Sequence, residues 1–148
     1  MKTKEIWDRV SNIALHLKMA EQGDAEAQCK VGFAYWYGYY GLPEDKTLAF
    51  QWYQKAAIRG NAKAQNNLGY MYQYGLGVAE DNALASKWYQ RAAEQSLEIA
   101  QCSLGLMYEN RRDGQRDKKL AFRWYQKAAD QGSIFGLCCL RLDPDIRT

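Results

Sequence analysis

Small apolar and aromatic residues return along this chain at steps of three and four, and one such run is written three times. Ala49-Phe-Gln-Trp-Tyr-Gln-Lys-Ala-Ala57, Ala85-Ser-Lys-Trp-Tyr-Gln-Arg-Ala-Ala93 and Ala121-Phe-Arg-Trp-Tyr-Gln-Lys-Ala-Ala129 each put Ala, a ring and Ala on one face of a helix. Trp52, Trp88 and Trp124 stand 36 residues apart, a fixed period that marks a stacked array of repeats. A large ring between small residues lets a neighbouring helix come close while the ring fills the gap between layers. The Trp column is therefore the expected core.

A second pattern precedes each run. Ala27/Gly32/Tyr35, Ala64/Gly69/Tyr72 and Ala100/Gly105/Tyr108 sit on helices expected to start at Asp24, Asn61 and Leu97. Gly inside a helix costs about 1 kcal/mol against Ala, so its return in every copy implies close backbone packing between the paired helices. Asp45, Asp81 and Asp117 stand where an N-cap would open each second helix, accepting free N–H groups, which makes them structural residues. Residues 4–22 read as a helix with Ile6, Val10, Ile13, Ala14 and Leu17 in a stripe and Trp7 beside it. Its end, Lys18-Met-Ala-Glu-Gln-Gly23, parallels Lys127-Ala-Ala-Asp-Gln-Gly132, with Leu15 and His16 in the Trp-Tyr place, as in a degenerate second helix. Ser133 to Leu142 read as a lone first helix, with Arg141 in the Gly place and Asp143-Pro144 as its stop. The expected plan is one all-α domain. It has an N-terminal capping helix (1–23), repeats at 24–60, 61–96 and 97–132, and a C-terminal half-repeat cap (133–148).

Composition narrows the chemistry. Two prolines and steady helix formers exclude a β-fold, and no apolar run approaches the length of a membrane span, so no membrane insertion is expected. A net charge of +3 is too small to argue for nucleic acid. His16 is the only histidine, and no nucleophile elbow, phosphate loop or zincin motif is present. The expectation is a non-enzyme with no catalytic residue, no metal and no cofactor. Gly75-Leu-Gly77 reads as a turn of the repeat. The start lacks the apolar segment of a signal peptide, so with Met1 as the natural start the protein is expected in the cytoplasm. Cys29, Cys102 and Cys138 hold equivalent positions on first helices. Packed helices lie about 8–10 Å apart and disulfide Cα atoms about 4.4–6.8 Å, so free thiols are expected.

Residues 64–93 fit the pattern Ala-x-x-x-Leu-Gly-x-Met-Tyr-x-x-Gly-x-Gly-Val-x-x-Asp-x-x-x-Ala-x-x-Trp-Tyr-x-x-Ala-Ala. The chain thereby resembles the Sel-one-like repeat family, relatives of the tetratricopeptide repeats, over residues 24–132. The resemblance implies a right-handed α-solenoid superhelix of about three helix-pair repeats that serves as a protein-interaction scaffold. Bacterial members act as adaptors, regulators and, in some cases, toxin neutralisers. Cysteine-rich relatives staple each helix pair with a disulfide, and no matching cysteines follow Ala57, Ala93 or Ala129 here. Two turns depart from the pattern. The first, Tyr35-Trp-Tyr-Gly-Tyr-Tyr-Gly-Leu-Pro-Glu-Asp45, is one residue longer and crowded with rings, and the third is Arg111-Arg-Asp-Gly-Gln-Arg-Asp117.

Helical geometry gives an expected binding face. On the second repeat's first helix, Ala64, Leu68, Gly69 and Tyr72 form the seam, and Lys63, Asn66, Tyr70, Gln73 and Tyr74 turn away from it. The period carries that strip to Glu26, Cys29, Phe33, Trp36 and Tyr37, and to Ile99, Cys102, Leu106, Glu109 and Asn110. These positions differ between copies, and Tyr and Trp often anchor interfaces. Arg111 and Arg112, with Arg116, Lys118 and Lys119 against Asp113 and Asp117, form a basic segment suited to an acidic partner. The expected partner is another protein or peptide held in a concave groove, by an adaptor or stoichiometric inhibitor; a homo-oligomer stays open. The rival reading is a small-molecule binder or hydrolase, as proposed for cysteine-rich relatives.

Overall fold

The computed structural model describes residues 2–110 and 116–142, with their side chains apart from those of 2, 6–11, 141 and 142. Ile6, Trp7 and Val10 of the expected stripe, Arg111 and Arg112 of the basic segment, and the Arg141 side chain lie outside that description. Among the described residues the elements are α1 (Lys2–Glu21), α2 (Ala25–Tyr37), α3 (Lys46–Ile58), α4 (Ala62–Tyr74), α5 (Asn82–Glu94), α6 (Glu98–Glu109), α7 (Lys118–Asp130) and α8 (Ile134–Leu142), with no strand.

Two compact units divide within α5, at Ala85. In the first, α1, α2, α3 and α4 pack each on the next; in the second, α6 packs on α7 and α7 on α8. Side-chain caps set where helices begin. Asp24 accepts from Ala27 N–H and Asn61 from Ala64 N–H, opening α2 and α4. Asp45, Asp81 and Asp117 accept from Leu48, Leu84 and Leu120 N–H at 2.9 Å each, in the structural role expected of them. Leu97, at the same place before α6, makes no side-chain cap.

The core corrects the expectation for the rings. Tyr53, Tyr89 and Tyr125 are fully buried, whereas Trp52, Trp88 and Trp124 are only half-buried. Each Trp lies under the cation three residues on: Lys55 at 4.3 Å, Arg91 at 4.7 Å and Lys127 at 4.3 Å from the ring centroid. The Tyr ring also explains the helical Gly. A methyl group at Gly32 would stand 2.8 Å from the Tyr53 ring, and one at Gly105 would stand 2.5 Å from that of Tyr125. The missing side chain makes room for a ring rather than for a neighbouring backbone.

A second periodic device runs beside it. Gln28, Gln65 and Gln101 are buried and donate to the carbonyls of Ala20, Ala57 and Ala93, at 3.0–3.1 Å. Each ties a first helix to the end of the helix before it. In α1, Ile13 and Ala20 join Ala27, Val31 and Ala34 in the core and Leu17 packs against it, but Ala14, expected in the stripe, is exposed.

Candidate functional site

The first unit carries a surface of touching rings. Phe33, Trp36 and Tyr37 come from α2, Tyr70 and Tyr74 from α4, and Tyr39 and Tyr40 from the turn after α2. Phe33 meets Tyr37 at 4.7 Å between centroids, Tyr37 stacks on Tyr39 at 5.3 Å, and Tyr39 meets Tyr40 at 6.2 Å. Trp36 links the helices, edge-on to Tyr37 at 6.4 Å and to Tyr70 at 6.1 Å, and Tyr70 meets Tyr74 at 4.7 Å. All of these except Trp36 are 44–56% exposed, so they are not core. An exposed, contiguous aromatic surface of this kind is uncommon on a protein face that meets only water.

The turn that supplies Tyr39 and Tyr40 absorbs the extra residue of the first copy. Asp45 N–H donates to the Tyr35 carbonyl at 2.8 Å, as Asp81 N–H does to that of Tyr72 at 2.9 Å, so the two turns close alike. Tyr40 takes a left-handed backbone (φ 60°), a conformation costly for a residue with a side chain. Sequence reasoning noted the rings of this turn but left Tyr39 and Tyr40 out of the strip. Turn residues have no helical period by which to assign them a face.

The expected strip is only partly assembled. Phe33, Tyr37, Tyr70 and Tyr74 are exposed together with Lys63, while Trp36, Asn66 and Gln73 are half-buried. Asn66 Oδ1 is buried without a hydrogen-bond partner. Trp36 is held from above, with Lys46 Nζ 4.1 Å from its ring centroid and donating to its carbonyl at 2.8 Å. Cys29 and Cys102, placed on the strip by periodicity, are buried instead. Burial, with Glu26 adding to it, pushes the Cys29 thiol up to about 11. In the second unit Leu106 packs against the cluster of Ala121, Tyr125 and Leu140. Glu109 accepts from the Tyr125 hydroxyl at 2.7 Å, and burial followed by this carboxylate raises the phenol far above its usual range. Both residues are thus engaged within their own unit, where a free face was expected.

The four cysteines are free thiols. Among the described residues no group of three or more His, Cys, Asp or Glu could hold a metal ion, and no helix is long and apolar enough to cross a membrane.

A family model described as the Sel1 repeat matches residues 25–61, 62–97 and 99–133. Among solved structures, the chain is similar to a protective antigen of uropathogenic Escherichia coli that displays an SLR fold. The identity is 36% and the TM-score 0.79, over 84% of this chain and 26% of that one. It is similar also to a Sel1 repeat protein from Oxalobacter formigenes, with 34% identity and a TM-score of 0.80, over 88% of this chain and 53% of that one. The chain therefore spans less than two thirds of the length of either structure. A search of curated proteins finds no match. The architecture is an all-α repeat solenoid.

Proposed function

The chain belongs to the Sel1 repeat family, and from that premise we propose that it is an adaptor or stoichiometric inhibitor that holds a segment of a partner protein against its aromatic surface. Repeats of this family generally mediate protein–protein interaction and form non-catalytic scaffolds. The observation that carries the reading to particular residues is the contiguous ring surface of Phe33, Trp36, Tyr37, Tyr39, Tyr40, Tyr70 and Tyr74. Rings with a polar tip are the side chains that most often dominate binding energy, since they bury much area at low entropy cost. Here they lie outside the seam, and their exposure is what a docking partner would remove. Lys63, Asn66 and Gln73 flank them on α4 and supply polar contacts, and Arg111 and Arg112 are kept as a second, steering contact. We place the protein in the cytoplasm, a compartment that keeps thiols reduced, which its free cysteines suit.

The test begins with affinity capture on the full chain and continues with titration of whatever protein is recovered. Tyr37→Ala combined with Tyr70→Ala is the informative variant, because both rings are exposed, whereas Trp36 is bound up with Lys46. Removing two anchor rings is expected to weaken binding by about thirtyfold or more with helical circular dichroism unchanged. Lys87→Ala, at an exposed site on α5, is expected to bind as the parent does. Unaltered affinity in the double ring variant would refute the reading.

A further inference from the structure

The ring surface uses one motif twice. On α2, Phe33 and Tyr37 stand one helical turn apart, with centroids at 4.7 Å and ring planes tilted by 56°. On α4, Tyr70 and Tyr74 stand in register with them, again at 4.7 Å and tilted by 51°. Trp36 touches both pairs edge-on, 6.4 Å from Tyr37 and 6.1 Å from Tyr70. Rings that meet tilted or edge-on leave part of each face uncovered. The third copy has Leu106 and Asn110 in these places, so the motif belongs to the first two copies.

The phenols here differ from those of the core in what their hydroxyls do. Tyr125 donates to Glu109 at 2.7 Å, and the Tyr53 hydroxyl is bonded to Asn67. Among the described residues, none bonds the hydroxyl of Tyr37, Tyr39, Tyr70 or Tyr74. The surface thus sets open ring faces beside spare O–H donors. The Lys46 ammonium against Trp36 is already paired with Glu44 at 2.8 Å, so it offers an acidic side chain little.

We propose that the segment held on this surface is proline-rich and bound as a polyproline II helix. This rests on the ring surface being the binding face, and it names the chemistry of what docks there. A docked α-helix has its carbonyls spent internally and would cover the phenol hydroxyls without giving them acceptors. An extended segment of ordinary residues brings an N–H with every residue, and ring faces accept such groups only weakly. A polyproline II segment has free carbonyls and, at each proline, no N–H. It therefore gives acceptors to the hydroxyls while its pyrrolidine rings lie on the aromatic faces. Such a helix returns to the same edge every three residues, about 9 Å, a spacing within reach of the two ring steps that join Tyr37 to Tyr70 through Trp36. It is also stiff before it binds, so less conformational freedom is lost on docking.

The probe is acetyl-decaproline-amide, set against a decapeptide of alternating Ala and Gln, which keeps its N–H groups and has no ring. Both are titrated into the isotope-labelled full chain up to the millimolar range and followed by amide chemical shifts. Saturable shifts are expected over residues 33–41 and 70–76, with the Ala-Gln peptide about tenfold weaker or more. Tyr37→Phe combined with Tyr70→Phe keeps both rings and removes two donors. It is expected to bind decaproline about tenfold more weakly with helical circular dichroism unchanged. Equal binding of the two peptides, shifts centred elsewhere, no saturable shift, or full decaproline affinity in the Phe variant would overturn the proposal. A captured partner that is lost from the Tyr37→Ala, Tyr70→Ala variant while decaproline fails on the parent chain would remove the proline chemistry and leave the ring surface standing. A partner that binds that variant fully would remove both.

Discussion

Trp52 and Tyr53 are neighbours in sequence and stand in opposite environments. The repeated Trp-Tyr pair announces a ring in the core, yet adjacent residues on a helix point about 100° apart, and the pattern alone does not say which one faces inward. Two other residues decide it: the Gly of the paired helix, which fits only against the Tyr, and the basic residue three places on, which covers the Trp. Tyr53→Ala is expected to cost about 3–5 kcal/mol, the range for emptying a fully buried aromatic site. Trp52→Ala, which removes a half-buried ring and its cation contact, is expected to cost under about 2 kcal/mol. Denaturant melts of the two variants check this, and the reverse order would return the Trp to the core. Ser96 offers a converse test. It holds φ 65° where the other copies have Gly23, Gly60 and Gly132 at φ 88–95°. Ser96→Gly is expected to stabilise the fold by about 0.5–1 kcal/mol, read as a raised denaturant midpoint, because only glycine enters that conformation without strain.

At the scale of the element, helix starts were the most legible feature. A capping Asp or Asn before an apolar period has one mechanism and one place, and Asp24, Asp45, Asn61, Asp81 and Asp117 all serve there. The turn around Gly77 was legible as a turn but not in its packing. A side chain at Gly77 would overlap the carbonyl of Lys46 at the start of α3, and its φ is 71°. Gly77→Ala is expected to cost more than about 2 kcal/mol, since steric overlap with backbone adds to conformational strain; thermal and denaturant unfolding would measure it. A loss of a few tenths would mean that this turn does not pack on α3. Helix faces were harder to read. Residues at the edge of a face, such as Cys29, Cys102 and Glu109, move from outside to inside with a small rotation of the helix. A period of 36 carries the same uncertainty into every copy.

Over the whole molecule, the two units share one repeat plan and differ in what they leave uncovered. The first leaves open a run of seven rings linked by successive contacts, counting the half-buried Trp36; in the second, the corresponding Leu106 and Glu109 are taken up by the packing around Tyr125. Repetition made the solenoid legible, because each copy restates the same packing rule. The site departs from that rule, so only its divergence could be read, and the turn rings Tyr39 and Tyr40 became part of it only once their contacts were known. The most direct test of the central claim is amide hydrogen exchange of the chain, free and bound to the captured partner. Slower exchange is predicted over residues 33–41 and 70–76, where the rings and their turns lie. Protection confined to α6, α7 and α8, with those two segments unchanged, would contradict it.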